Sequence, residues 1–383
     1  MILLDTFKQA ASLSSRSLLS LLVEAARLRI SRTKLGVSEY IDFQLYMNDL
    51  SWEEKASFGG HRTQAAIEDI LVDDYSRFLS LDKITMYALM SGLKLPVPKI
   101  KATYRSMRPS SIPQLQTPED VAEFFAHSGT IPLYIKKSFG SYGRGNMLVT
   151  GFDGHNVALG NGGKDSLGDL CSTLDGDLNL GWIFQEPLAP HPEIIALTNS
   201  NKISGLRIHT FLSKNEVKVT KAIFKINAGL RDSDNFEHGA SGNMLAAVDI
   251  KTGKVIRAIS GVGLRQTEIP KHPSTQAAIV GFMIPHWSEA VDLVTEAQKG
   301  FPGFICPGWD IALCPDGPKI LEVNAFGDID LSQHAYRTSF VDENFLSLLR
   351  QRGLDQLIYS APRNHVRSPK NNRLGIRKHH WLW

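Results

Sequence analysis

The sequence predicts an α+β protein that begins with a helical region. Three observations carry this. Apolar residues recur at helical spacing through about the first 78 residues, as in Leu18, Leu21, Leu22, Ala25, Leu28 and Leu35. From residue 117 helix and strand patterns alternate, and several strand pairs are joined by turns short enough to make them antiparallel. The 383 residues, 43% hydrophobic and 21% charged, supply a packed core without a disulfide or metal staple, in about two to three domains.

The elements follow in order. In the helical region Ser51 as N-cap and Glu54 three residues later form a capping box. A helix from near Leu81 stops at Gly92, and Leu95-Pro96-Val97-Pro98 forces extended backbone. Thr117-Pro118-Glu119-Asp120 opens a helix that ends near Gly129. Residues 133–136 form a short apolar strand running into a glycine-rich turn, and residues 146–150 continue as a strand. Residues 181–185 are a buried strand, and 206–212 pairs with 217–224 about Ser213-Lys214-Asn215. Residues 244–249 and 255–259 pair across Lys251-Thr252-Gly253-Lys254. Residues 286–299 are a helix with Trp287, Ala290, Val291 and Val294 on its apolar face. Strands 308–313 and 319–323 are joined by Pro315-Asp316-Gly317-Pro318, and a last helix lies near 339–350.

Charge is unevenly spread. The chain holds 42 basic and 39 acidic residues, but residues 361–383 carry six basic residues (Arg363, Arg367, Lys370, Arg373, Arg377, Lys378) and no acid. Without them the count is 36 basic against 39 acidic, which gives no support to nucleic-acid binding. The basic, aromatic tail suits weak contact with an acidic partner, a solvated terminus being the plainer reading. Cys171, Cys306 and Cys314 form neither a disulfide framework nor a metal pattern and fit a reducing, cytoplasmic setting. No apolar run approaches the ~18 to 20 residues that cross a bilayer, so no transmembrane segment is expected. Residues 17–26, broken by Glu24 and followed by Arg27 and Arg29, read as a packed amphipathic helix in preference to a membrane-surface element.

Two patterns carry chemistry. Between two strands stands Lys136-Lys137-Ser138-Phe139-Gly140-Ser141-Tyr142-Gly143-Arg144-Gly145. Small residues let backbone N–H groups turn to an anion, and a lysine just before them offsets phosphate charge. No G-K-[ST] follows, so it is not a P-loop; a plain hairpin turn is the alternative. The second pattern is Asp310 in one apolar strand and Glu322 in the next, brought together by the turn at 315–318. Asn324 shares a face with Glu322. Two carboxylates and an amide oxygen on one side suit Mg²⁺; two edge acids facing water are the alternative.

Together the glycine loop, the downstream Gln185-Glu186 and Asp310…Glu322-Val323-Asn324 resemble the ATP-grasp fold, and within it the sugar-transfer-associated ATP-grasp family. Counterparts run from about residue 36 to 334. They include Asp82-Lys83, Phe184-Gln185-Glu186 with His191-Pro192-Glu193, Gly205-Leu206-Arg207-Ile208, Asp234-Asn235 and Gly308-Trp309-Asp310-Ile311-Ala312. The resemblance implies two α/β subdomains clamping ATP: 79–188 with the glycine loop and hinge, and 189–350 with the metal strands. These are flanked by a helical region at 1–78 and the basic tail at 351–383. By position it implies that Lys136 and Lys83 bind phosphates, with Gly140, Ser141 and Gly143 in the loop. Gln185, Glu186 and Leu188 meet adenine, and Glu193 accepts from ribose. Arg207, with Lys136, faces the reacting phosphate, and Asp310, Glu322 and Asn324 hold Mg²⁺. Asn235 and Gly239-Ala240-Ser241-Gly242 are less supported substrate-side contacts.

The chain departs from relatives at two points. The loop reads Lys-Lys, so Lys137 competes with Lys136 for the phosphate role. Residues 325–330 replace a proline-glycine turn, so Asp328 and Asp330 are either a solvated acidic loop or a site for a cationic acceptor. The activity implied is an ATP- and Mg²⁺-dependent ligase joining a small-molecule carboxylate to a nucleophilic amine through an acylphosphate, in cell-surface polysaccharide or natural-product assembly. The alternatives are a phosphotransferase on a hydroxyl or sugar acceptor, and a nucleotide-binding protein without turnover.

Overall fold

The computed structural model describes residues 2–106, 111–127, 129–140, 145–176, 180–214, 216–228 and 232–355. The basic residues of the tail from 361 on lie outside the described residues. Helices come first: α1 (Ile2–Ser14), α2 (Leu18–Ile30), α3 (Val37–Asp42), α4 (Trp52–Ser57), α5 (His61–Leu71), α6 (Asp74–Leu81) and α7 (Lys83–Gly92). The Ser51/Glu54 capping box opens α4, and the Asp82 carboxylate caps α7 by accepting from the Thr85 amide. Then come β1 (Ile100–Tyr104), β2 (Gln114–Leu115), α8 (Pro118–Ala126), β3 (Leu133–Lys137), β4 (Met147–Phe152), β5 (Asn156–Leu159), β6 (Lys164–Ser166), α9 (Leu167–Asp175) and β7 (Trp182–Gln185). These strands form one sheet, in the order β2-β1-β7-β3-β4-β5-β6. Its covered face packs Ala102, Tyr104, Ile135 and Phe184 against Val121 and Phe125 of α8 and Leu170 and Leu174 of α9.

The second half comprises α10 (Pro192–Thr198), β8 (Gly205–Leu212), β9 (Val217–Ile226), β10 (Met244–Val248), β11 (Val255–Ser260), β12 (Thr267–Glu268), α11 (Trp287–Gly300), β13 (Gly308–Cys314), β14 (Gly317–Asn324), α12 (Ile329–Tyr336) and α13 (Glu343–Gln351). Its strands form an antiparallel sheet in the order β12-β11-β10-β9-β8-β13-β14. The family-level architecture expected from the sequence, mixed helix and sheet with a helical start, is therefore present. Several elements were not read from the sequence, β5, β6, α9 and α10 among them. β1 follows the Pro96–Pro98 stretch as a five-residue strand, and α12 occupies what reads as an acidic loop, packing Leu331 and Ala335 on the sheet.

Strand periodicity sorts the second sheet's side chains. Leu206 and Ile208, Ala222, Phe224 and Ile226, and Trp309, Ile311 and Leu313 enter the core beneath α11. Their neighbours Arg207, Lys225 and Asp310 take the other face. In β14 the alternation is broken: Asp310 pairs with Glu322, but Ile311 pairs with Ile320. Leu321 is thus the extra residue of a β-bulge. Ile320 and Val323 both reach the core, while Glu322 and Asn324 share the opposite face with Asp310.

The helical region has its own core, built on Phe7, Leu21, Leu28, Tyr40, Leu45 and Phe58, and is bolted to the second sheet by polar contacts. Gln333 of α12 is the main one. Its Nε2 donates to the Gly59 carbonyl at 2.7 Å, and its Oε1 accepts from the amides of Gly59 (3.0 Å) and Phe340 (3.2 Å), all buried. Arg337 adds paired hydrogen bonds of 2.8 Å to the Asp49 carboxylate. Replacing Gln333 by Leu strands three buried backbone groups, so Gln333→Leu should cost about 2–4 kcal/mol in urea unfolding. A loss under about 1 kcal/mol would mean that the helical region is held by other contacts.

Candidate active site

A cavity of about 160 Å³ opens between the two sheets. On the first-sheet side it is lined by Tyr134 and Lys136 of β3, Gly140, and Gln185, Pro187 and Leu188 at the end of β7. Across from them stand Lys225 of β9, Asp310 of β13, Leu321 and Glu322 of β14, and the loop residues 232–235. Lys83 of α7 lines it as well. Of the expected nucleotide-side residues, Lys83, Lys136, Gly140, Gln185 and Leu188 thus share one cavity with Asp310 and Glu322. Ser141 and Gly143 lie outside the described residues.

Two expected contacts stand elsewhere. The Glu186 carboxylate accepts from the Lys99 amide at 3.0 Å, while its own amide donates to the Lys99 carbonyl, so it braces the segment before β1. Glu193 is exposed on the first turn of α10, its amide donating to Nδ1 of His191. Neither lines the cavity, and the cavity wall after α10 is made instead by Asn201, Lys202 and Ile203. Asn235 lines the cavity, and the segment 239–242 does not. Asn243 shapes that loop, its Nδ2 donating to the carbonyls of Ser233 (2.9 Å) and Asn235 (2.8 Å).

The lysines are buried. Lys136 Nζ donates to the Tyr87 hydroxyl at 2.9 Å, and that hydroxyl donates at 2.5 Å to the Leu321 carbonyl at the bulge. Burial, then the neighbouring Lys83, pushes the Lys136 ammonium down to about 7, against the opposing pull of Glu322 and Asp310. Lys83 Nζ donates to the Gly140 carbonyl at 2.5 Å, and the Lys83 amide to the Ser138 carbonyl at 2.9 Å, so α7 grips the base of the glycine loop. Burial lowers the Lys83 pKa too, with Glu322 and Asp82 opposing. Lys137, the competitor for the phosphate role, lines the cavity too, with its ammonium 5.8 Å from the Trp182 ring centre.

Arg207, Asp310 and Glu322 lie in direct register across β8, β13 and β14, a row of one cation and two carboxylates. Arg207 grips Asp310 with two parallel hydrogen bonds, Nε to Oδ1 and Nη2 to Oδ2 (3.0 Å). Lys225 Nζ stands 3.0 Å from Asp234 and 3.4 Å from Asp310. Burial alone would raise the Asp310 carboxyl, but Arg207 and Lys225 hold it well below the usual carboxylate range. Burial would likewise lower Arg207, and Asp310 reverses that. Arg207 Nη1 is buried without a hydrogen-bond partner among the described residues. Gly308 makes room for this side chain: a Cβ there would stand 2.9 Å from Arg207 Cδ.

The expected metal ligands share this face. Glu322 lies within hydrogen-bonding reach of Asp310, and the buried Asn324 amide nitrogen has no partner among the described residues. Two carboxylates in contact repel unless a cation stands between them, and the donors are all oxygens once the amide presents its oxygen. The residues present therefore fit Mg²⁺.

A second acidic group adjoins the row. Asp328 accepts from Gln64 Nε2 at 3.2 Å, and Asp330 lies 3.9 Å from His238 Nδ1. Burial, then Asp330, pushes Asp328 up to about 6, and Arg207 pulls against this. Asp42 of α3 is also pushed up to about 6, by burial first. This is no solvated loop: α5 of the helical region covers it, Ile67 and Leu71 packing with Phe326 and Ile329.

Sequence reasoning missed Tyr87, Lys225 and Asp42. A lysine at the apolar end of a strand, as in Ile223-Phe224-Lys225-Ile226, is costly unless paired, and that was the available signal for Lys225. Tyr87 and Asp42 carried none.

A family model described as sugar-transfer associated ATP-grasp matches residues 71–346. A search of curated proteins finds no match. Among solved structures the chain is similar to N5-carboxyaminoimidazole synthase from Aspergillus clavatus in complex with ADP and 5-aminoimidazole ribonucleotide, at 11% identity and TM-score 0.38, over 71% of this chain and 52% of that one. It is similar also to D-alanine-D-alanine ligase from Helicobacter pylori, at 10% identity and TM-score 0.39, over 74% and 62%. A third is L-amino acid ligase from Bacillus licheniformis, at 14% identity and TM-score 0.36, over 67% and 43%. The chain spans about half the length of the first of these.

The depressed Lys136 pKa has a signed consequence. Between about pH 7 and its ordinary value the folded state binds fewer protons here than the unfolded chain, so this group's contribution to stability rises with pH across that window. Lys136→Met should therefore stabilise the empty protein at pH 6.5, by about 1–4 kcal/mol, and much less at pH 9. ADP affinity measured by calorimetry should fall about tenfold from pH 7.5 to 9 in the parent and stay flat, at a lower level, in Lys136→Met. A parent profile as flat as the variant's would remove Lys136 from the anion-binding role.

Proposed function

The chain belongs to the sugar-transfer-associated ATP-grasp family, and from that premise we propose that it is an ATP- and Mg²⁺-dependent carboxylate–amine ligase working through an acylphosphate. The observation that supports this most is the charge layout of the cleft. Buried lysines and an arginine with one uncommitted N–H group surround two carboxylates, and a second acidic group lies within electrostatic reach of that arginine.

Each residue then has a task. A carboxylate oxygen of the substrate attacks the γ-phosphorus of ATP, the bond from that phosphorus to the β,γ-bridging oxygen breaks, and ADP leaves. Two anions must meet, so Lys83 and Lys136 offset charge along the phosphates. Arg207 Nη1 donates to an anionic oxygen of the substrate carboxylate or of the phosphoryl group in flight. Gln185, Pro187 and Leu188 form the wall against which adenine rests. Asp310, Glu322 and Asn324 would hold Mg²⁺, which when bound neutralises phosphate charge. The acceptor enters as an ammonium held by Asp328 and Asp330, with Asp42 nearby. It loses a proton, attacks the acyl carbon and expels phosphate. A carboxyl group poised near pH 6 is well matched to accept that proton.

Glu322→Gln should lower ADP formation at least about a hundredfold while leaving the melting profile intact; near-normal turnover would remove Glu322 from the metal role. The reaction itself is decided by incubating the protein with ATP, Mg²⁺, ¹⁸O-labelled carboxylates and a panel of amines. Label appearing in released phosphate, with a new amide, is expected. A stable phosphorylated product without ligation would instead establish a phosphotransferase.

A further inference from the structure

Helix α2 is apolar on two faces. Leu21, Ala25 and Leu28 are buried in the core of the helical region. On the outward side Leu19 is 71% exposed, Leu22 39%, Val23 50% and Ile30 84%. With the exposed Ala26 these stand at i, i+3, i+4, i+7 and i+11, the spacing of one continuous stripe. A helix apolar on two sides is normally covered on both, and among the described residues nothing covers this one.

The charge around the stripe says what fits it. Residues 2–35 carry Lys8, Arg16, Arg27, Arg29, Arg32 and Lys34 against only Asp5 and Glu24. Glu24 is already engaged within the region, accepting from Arg16 at 2.9 Å and from Lys55 at 3.1 Å. Between residues 36 and 360 the balance is the reverse, 30 basic against 37 acidic. Arg27 and Arg29 fall on the two flanks of the stripe at 100° per residue, and Arg27 rests 4.1 Å over the Trp52 ring.

We propose that α2 docks the protein on an anionic lipid surface, with its apolar stripe entering the headgroup–acyl boundary and the surrounding arginines and lysines meeting lipid phosphates. Such a surface satisfies the apolar stripe and the basic flanks together. The basic C-terminal tail and a second copy of this face would each bring like charge against it. No helix among the described residues is long and apolar enough to cross a membrane, and α2, at 13 residues, lies in the interface plane. The packed helix expected from the sequence is thus half of the picture: one face packs and the other is left for lipid. The docking is independent of the ligase reading.

The test is co-sedimentation of the full chain with vesicles of phosphatidylcholine alone or with about a third phosphatidylglycerol. Binding to the anionic vesicles, weak binding to the neutral ones and weakening by salt are expected. The triple variant Leu19→Glu, Val23→Glu, Ile30→Glu changes only exposed positions; it should keep its melting temperature and lose binding at least about tenfold. Should that variant unfold, Arg27→Gln with Arg32→Gln serves instead and should weaken binding several-fold. The proposal is overturned if the chain stays in the supernatant with both vesicle types, if it binds both equally, or if the variants bind as the parent does. It is also overturned if light scattering shows a dimer that the triple variant disperses, if vesicles are bound only after removal of residues 356–383, or if an acidic protein but no vesicle is retained.

Discussion

The cleft depends on one inserted residue. Without the bulge at Leu321, Ile320 and Glu322 would lie on the same face of β14, and either a carboxylate would enter the core or an isoleucine would face the cavity. With it, Ile320 and Val323 both pack beneath α11, and Glu322 comes into the row begun by Arg207 and Asp310. The bulge also diverts the Leu321 carbonyl to Tyr87, whose hydroxyl holds Lys136 from the other sheet. A local irregularity in one strand thereby sets Glu322 on the second sheet, Lys136 on the first and the helix between them.

Around that point the molecule stores charge under cover. Lys83, Lys136, Lys225 and Arg207 are all buried, as are Asp234 and Asp310. Desolvation penalises every one of these ions, and only the mutual pairing of some makes the cost bearable. Lys225, Asp234 and Asp310 are paired with one another and with Arg207, whose Nη1 is left without a partner among the described residues. Lys136 is not paired in this way: its hydrogen-bond partner is a neutral phenol, and its proton is loosely held. The unsaturated groups, Lys136 and Arg207 Nη1, are those best suited to an incoming anion.

Much of this was legible in the sequence, and the reason is local. The turn at 315–318 brings Asp310 opposite Glu322 whatever the rest of the chain does, and the strand before the glycine loop delivers Lys136 to the cleft. What was not legible depends on distant partners. Glu186 is claimed by the Lys99 amide, a contact made only because β1 and β7 are neighbours. The acidic run after Asn324 reads as solvated until α5 is laid over it. The bulge has no sequence signature, since Leu321 is unremarkable in a strand.

The chain of hydrogen bonds from Lys136 through Tyr87 to Leu321 runs from one sheet to the other by way of α7. Neither sheet can shift relative to its neighbour without stretching it. Stretching removes the phenol oxygen from the ammonium and alters its burial and its distances to Lys83, Glu322 and Asp310, on which the hold on its proton depends. The spacing of the two sheets and the protonation of this lysine are therefore a single mechanical and chemical coordinate.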